Sequence, residues 1–361
     1  MLLFLIIFLA AFALSLIGTM LMRRLAPRLG LVDMPSSRKV HVEPTPLGGG
    51  IAMFVALWLT IGAVVAISHA ADVDALSEPW SGLAAFIVEN TRSIIWIFGG
   101  AIVLGVVGLI DDLRGLSPWL RLGAQVAVAV SLAVFDKQLI TLFISNFYVC
   151  AAITVLWIVG ITNTFNLLDN MDGLSGGVAF IVSALLMVVA LQTQQDDRLL
   201  LAVFMAVMMG ATGGFLIFNF PPAKIFMGDA GSTLLGYMLA VTTINTTYYE
   251  PGKPLYPVVV PLLIMAVPIF DTLSVVIIRI SEGRSPFEAD KNHFSHRLVA
   301  LGMTTRRAVV TIYLIAAAVG LGATVVYHAT TYGMLIVLIQ AAVIFAVIAL
   351  LEKSGRDSPP E

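Results

Sequence analysis

The sequence predicts an all-α, polytopic membrane bundle of about eleven spanning helices, N-terminus outside and C-terminus in the cytoplasm. Three observations predict it. The chain is 59% hydrophobic and only 12% charged, with a mean hydropathy of +0.98, whereas a soluble domain carries about 25% charged residues. It holds about eleven apolar stretches near the roughly 20 residues that a spanning helix needs. Its basic residues fall on one side of those stretches, 16 of 20 on the side of Arg23 and Arg24.

The stretches are 1–22, 47–68, 93–110, 122–135, 147–168, 174–191, 198–218, 232–248, 257–280, 306–326 and 332–351. The first has no Lys or Arg ahead of it and Arg23-Arg24 directly after it. A secretory signal has the reverse order, so this run reads as an uncleaved helix. The segment 122–135 is short. Cytoplasmic loops carry the excess of Lys and Arg, and only Arg92, Lys137, Arg198 and Lys253 lie opposite. The polar stretch 69–91 is then an outer loop, and 1–351 is one transmembrane domain followed by a polar tail, 352–361. Net charge, −2, points to no partner, and no nucleic acid is expected. The single cysteine, Cys150, has no internal disulfide partner and faces lipid or core.

With this orientation, the loops 23–46, 111–121, 169–173, 219–231 and 281–305 all lie on the cytoplasmic face. They carry the acids of a chain that is otherwise apolar. Acids at a membrane boundary are costly and mark sites that bind cations or move protons. A transporter would place them near the midplane, where only Asp271 fits. A non-catalytic scaffold would need no loop like Gly228-Asp229-Ala230-Gly231-Ser232. A site at one face suits an enzyme joining a soluble substrate to a lipid.

Asp111-Asp112 ends an apolar run after Gly105 and Gly108, which let a neighbour pack closely. Adjacent carboxylates repel unless a cation or proton intervenes. The pair reads as a cation- or phosphate-handling site, or as a solvated helix end paired with Arg114 or Arg121. Continued helix would set Asn163, Asn166, Asp169 and Asp172 at i, i+3 spacing on one face. Such a stripe lines an interior cleft, the alternative being a solvated turn. Around Asp229, Gly228 and Gly231 permit a tight loop, and Ser232 is placed to cap the next helix. Phe226 is suited to stacking on a base and Asn219 to reading its edge; an ordinary interhelical turn would look the same.

His293, His296 and Arg297 are near enough in sequence to converge on phosphate oxygens. Zinc suits this loop less, since no cysteine is near and the acids suit Mg²⁺ better; a positive-inside loop that only sets topology is the other reading. Arg38-Lys39-Val40-His41, ahead of Pro44, Pro46 and three glycines, reads as a cationic lip. Asp271 lies inside a span, about 12 Å from Arg279 at 1.5 Å per residue, and reads as a structural acid bonded across helices.

Together these segments resemble the polyprenyl-phosphate N-acetylhexosamine-1-phosphate transferase family. The resemblance runs from Asp33-x-Pro35 through Arg38-Lys39-x-His41, Pro46-x-x-Gly49-Gly50, Asp111-Asp112 and Asn166-x-x-Asp169-x-x-Asp172-Gly173 to Phe226-Met227-Gly228-Asp229-x-Gly231-Ser232 and on to Arg297. Arg38-Lys39-x-His41 and Ser285-Pro286-Phe287-x-Ala289-Asp290 are most similar to the undecaprenyl-phosphate GlcNAc-1-phosphate branch, not the lipid I-forming branch that takes UDP-MurNAc-pentapeptide. Where the family often has His-x-His-His, this chain reads His293-Phe294-Ser295-His296.

The resemblance implies a Mg²⁺-dependent transfer, with Mn²⁺ the alternative ion. A lipid phosphate oxygen attacks the sugar-linked phosphorus of a UDP-sugar directly, and UMP leaves. It implies undecaprenyl phosphate as acceptor, membrane lipids around the protein, a location in a bacterial inner membrane, and a homodimer. By the same resemblance Asp229, Asn166 and Asp112 hold the ion, and Asp111, with Asp112, is catalytic, accepting the proton of the lipid phosphate or orienting it. Asp169, Asp172, Asn219 and Phe226 hold uridine. Lys39, His41, Arg284, His293, His296 and Arg297 hold diphosphate or sugar.

Overall fold

The computed structural model describes residues 2–34, 44–72, 76, 80–140, 144–192, 198–245, 259–285, 292–326 and 328–356. Helix dominates them, as a chain without water to satisfy its backbone requires. α1 (Leu2–Leu25) ends on Arg23 and Arg24, where cations favour the helix C-terminus. Beyond a short turn of helix, β1 (Val32–Asp33) pairs antiparallel with β2 (Thr45–Pro46), and α2 (Gly49–Ala70) follows.

The predicted outer loop 69–91 contains a helix, α3 (Trp80–Glu89), which buries Leu83, Ala84 and Ile87. Its ten residues are too few to read as a span. α4 (Thr91–Arg114) runs one turn past the predicted end, so Asp111 and Asp112 sit in its last turn. α5 (Pro118–Phe135) starts before the predicted 122, because Ser117 accepts the N–H of Leu120 and Pro118 is tolerated in the first turn. α6 (Phe147–Leu168), capped by Asn146, α7 (Leu174–Gln192) and α8 (Arg198–Asn219) match their predicted spans closely.

α9 (Asp229–Asn245) is the buried centre, with every residue from 230 to 243 buried. The predicted span 257–280 is broken into α10 (Val260–Ile264) and α11 (Ala266–Ser281). Pro268 has no N–H to offer the carbonyl four residues back, and its ring crowds that position. α12 (Phe294–Ala300), α13 (Thr305–Val326) and α14 (Thr331–Arg356) complete the bundle. α14 runs past the predicted domain end at 351, so 352–356 is helix rather than tail.

Among the described residues nine helices are long and apolar enough to cross a membrane. α9, with 17 residues, and the broken α10–α11 pair are the shorter remainder of the eleven predicted stretches. α14 lies at the rim and exposes Leu335, Ile336, Ile339, Val343 and Val347, an outward apolar face fit for lipid. Cys150 is core-facing, its thiol donating to the carbonyl of Ile144 at 3.1 Å.

Candidate active site

The end of α4 meets the start of α9. Asp112 Oδ1 accepts the N–H of Asp229 at 2.7 Å and Oδ2 that of Ala230 at 3.2 Å. The first amides of a helix have no partner inside it, so Asp112 caps α9 from another helix. Gly108 permits the approach, since a Cβ there would stand 2.6 Å from the Ala230 backbone. Ser232, expected to cap α9, instead lies inside its first turn and donates to the carbonyl of Gly228 at 3.2 Å. The other end of this loop is fixed by α2. The N–H groups of Gly49 and Gly50 donate to the carbonyls of Phe226 and Met227, at 3.0 and 2.9 Å. Phe226 returns its own N–H to Pro46 at 2.8 Å and keeps a half-buried ring.

Asp111 is 8% exposed and accepts from Leu116 N at 2.5 Å and from Arg121 Nη1 at 2.6 Å. Arg121 Nη1 also donates to Asp229 Oδ2 at 3.1 Å. The adjacent acids divide their partners, one taking a guanidinium and one taking helix amides, which offsets part of their repulsion. The pairing with Arg121 is the one expected of a helix end, yet it reaches Asp229 as well. Both Asp111 oxygens are engaged, so this geometry orients Arg121 rather than presenting a free base.

α6 brings the third group. Asn166 Nδ2 donates to Asp229 Oδ1 at 2.6 Å and to Ser232 Oγ at 3.1 Å. Asn163 donates to Gln125 Oε1 at 2.5 Å. The helix stops at Leu168, so the expected four-residue stripe is only Asn163 and Asn166; Asp169 and Asp172 lie in the turn beyond. Burial, with the charges of Asp229, Asp112 and Asp172, pushes Asp169 up to about 8. Asp172 Oδ2 accepts the N–H of Ala223 at 2.8 Å.

Two expected substrate contacts are corrected here. Asn219 is 3% exposed; it accepts from Gly173 N and donates to the Ile225 carbonyl, both at 2.9 Å, which fixes loops instead of reading a base. Arg297 is 6% exposed and donates to Glu352 Oε1 at 2.9 Å, to Ser274 Oγ at 3.0 Å and to the Asn292 carbonyl. Its fork is spent on joining α11, α12 and α14, not on phosphate.

Asp271 is the cross-helix acid that was expected. It accepts from His293 Nδ1 at 2.9 Å and from Phe294 N, the first amide of α12, at 2.6 Å. His293 is accordingly buried against α11, His296 is half-buried, and Arg284 pairs with Glu282. Two bonds join this region to α6 and its turn: Ser295 Oγ to Asn170 Oδ1 at 2.5 Å, and Thr272 Oγ1 to Thr164 Oγ1 at 3.2 Å. Lys39 and His41 lie outside the described residues.

A cleft of about 50 Å³ opens beside Arg121, lined also by Leu104, Val107, Gln125, Asn163 and Asn166. Among the described residues no three His, Cys, Asp or Glu side chains form a metal cage. The residues do fit a hydrated Mg²⁺, which takes one or two carboxylates plus substrate phosphates. Among the described residues Arg121 pairs with both Asp111 and Asp229, and Asp229 keeps about a third of its side chain exposed. Asp169 is raised first by burial and then by the charges of Asp229, Asp112 and Asp172, and a dication would relieve the second cause. Asp229 is the fitting ligand, with Asn166 beside it. Asp112 fits poorly, since its oxygens face the α9 amides. Sequence reasoning named Arg121 only as a helix-end partner; its ten-residue distance from Asp111 carried no sign that it also meets Asp229.

The profile of glycosyl transferase family 4 matches residues 94–247, which hold Asp111, Arg121, Asn166 and Asp229. A probable undecaprenyl-phosphate N-acetylglucosaminyl 1-phosphate transferase of Bacillus subtilis is 35% identical over 92% of this chain and 88% of its own. A decaprenyl-phosphate N-acetylglucosaminephosphotransferase of Mycolicibacterium smegmatis is 33% identical over 94% of this chain and 86% of its own. An undecaprenyl-phosphate alpha-N-acetylglucosaminyl 1-phosphate transferase of Escherichia coli K12 is 30% identical over 82% of this chain and 76% of its own.

Proposed function

The chain belongs to glycosyl transferase family 4, and we propose that it transfers GlcNAc-1-phosphate from UDP-GlcNAc to undecaprenyl phosphate, releasing UMP and starting an envelope polysaccharide. The reading is supported by the names of the relatives and by one observation above the rest. Asp229 is held by groups from three other helices, Asp112 of α4, Arg121 of α5 and Asn166 of α6.

In the reaction a lipid phosphate oxygen forms a bond to the sugar-linked phosphorus. The bond from that phosphorus to the bridging oxygen breaks, and the oxygen leaves with UMP. Lipid phosphate is already nucleophilic, so the protein's task is positioning and neutralising charge. Mg²⁺ at Asp229 would supply positive charge to the diphosphate. Arg121, held by Asp111, supplies a fixed cation at the cleft. Asp112 sets the start of α9, and with it the direction of the Asp229 carboxylate. The turn 169–173 lines the donor side. The active face is cytoplasmic, in a bacterial inner membrane, and the donor arrives from that side.

The test is UMP release by the purified protein with undecaprenyl phosphate, Mg²⁺ and UDP-GlcNAc, with and without EDTA. Lipid-dependent release abolished by EDTA is expected. Release from UDP-MurNAc-pentapeptide but not UDP-GlcNAc would move the donor to the lipid I reaction. No release from any UDP-sugar by folded protein would remove the reading.

A further inference from the structure

The turn 169–173 has no regular structure of its own, yet it carries two of the five clustered acids. It is tethered from outside. Asn219, the last residue of α8, accepts the N–H of Gly173, and Ala223, in the loop after it, donates its N–H to Asp172. Two further tethers come from the C-terminal part of the chain, beyond the 94–247 match. Ser295 of α12 donates to Asn170 Oδ1 at 2.5 Å, and the Tyr313 hydroxyl of α13 donates to the carbonyl of Gly173.

Each tether is built for its place. Ser295 is 1% exposed, so its hydroxyl serves the turn and not a ligand. Asn170 gives its amide to the carbonyl of Leu167 at 2.7 Å, ending α6, and turns its oxygen to Ser295. Tyr313 fits because residue 177 is glycine: a Cβ there would stand 1.9 Å from the tyrosine hydroxyl oxygen. Gly173 itself has φ +73°, so its peptide direction is set by the groups that hold it.

We propose that Ser295 and Tyr313 are positioning residues that hold the 169–173 turn in register for the nucleotide-sugar donor. This rests on the reading that the turn lines the donor side. Position 295, which departs from the His-x-His-His pattern, thereby has a role: a short hydroxyl joins α12 to the acidic turn inside a closed site. The turn is the element the tethers hold and not one that reaches the lipid phosphate in this reading, so loosening either tether should be read first by the donor.

The experiment measures kcat, KM for UDP-GlcNAc, KM for undecaprenyl phosphate and melting temperature for the unsubstituted protein, Ser295→Ala, Ser295→Thr and Tyr313→Phe. Ser295→Ala and Tyr313→Phe should each raise the donor KM by about tenfold, the weight of one buried hydrogen bond. The lipid KM and kcat should stay within about twofold, as expected when donor binding alone is weakened, and Ser295→Thr should restore the donor KM. A lower melting temperature with an unmoved donor KM would overturn the positioning role while leaving the transferase reading intact. Failure of the unsubstituted protein to release UMP from any UDP-sugar would overturn the reading and the clamp's purpose with it. Should Ser295→Ala not fold, Tyr313→Phe decides by the same comparison.

Discussion

Asp229 is the residue on which the site turns, and its substitution is the sharpest residue-scale test. Asp229→Asn keeps the shape, but the negative charge is lost, and one of the two donors, Asn166 on Oδ1 or Arg121 on Oδ2, then faces an amide NH2 instead of an acceptor. UMP release should fall by about 100-fold or more, the scale of removing one preorganised electrostatic group, and added Mg²⁺ should not recover it. Asp169 gives a test that needs no substrate. Its carboxyl is raised to about 8, so the folded state holds a proton that the unfolded chain loses near pH 4. Stability therefore falls as pH rises from about 4 to about 8 and is then flat. In EDTA, Asp169→Asn should raise the melting temperature at pH 8 and leave it nearly unchanged at pH 4; equal effects at both would exclude ionisation as the cause. The acids were legible as a set because carboxylates beside apolar runs need a reason. The amides and cations were not. Asn219 and Arg297 have side chains equally suited to ligand and to protein, and only the crossing of α8, α11 and α14 decides which partner they meet.

Between elements, the decisive contact is the crossing of the starts of α2 and α9. Gly50 meets Gly231 there, and a Cβ on Gly50 would lie 2.4 Å from the Gly231 nitrogen. Backbone cannot yield as a flexible side chain does. Gly50→Ala should cost about 1–3 kcal/mol, as overpacking does, and should also move Asp229, whose loop is bonded to Gly49 and Gly50. A thermal melt and the UMP assay check both effects; unchanged values in both would show that the two starts can separate freely. Hydropathy found the nine helices that are long and apolar enough to span among the described residues, because length and composition alone decide them. It passed over α3, whose ten residues pack without spanning. The Ser117-Pro118 cap and the Pro268 break were both written in the sequence, but an apolar window averages over the single residues that start and stop helices.

At the scale of the whole molecule, the bonded motif ends gather the acids at one end of the bundle, and the basic residues were assigned to that same end by sequence alone. The two assignments are independent: one counts Lys and Arg, the other follows hydrogen bonds such as those of Asp112 and Asn166 to Asp229. Exposed aromatic residues mark both ends of the spans, Trp119 near the acids and Tyr148 and Tyr332 opposite, as interfacial anchors do. The orientation that follows is testable by labelling. Cys150 is 2% exposed and gives little background. With an impermeant maleimide on intact cells, Ser77→Cys, in the stretch 69–91, should label at once. Ser354→Cys, beyond the last span, should label only after permeabilisation. The reverse pattern would place the Asp229 cluster outside, away from any cytoplasmic nucleotide sugar, and would count against the transferase reading even if the helices were all correct. Labelling at both positions in intact cells would mean an even number of spans, and the broken α10–α11 pair would then be the first segment to reconsider as a re-entrant one.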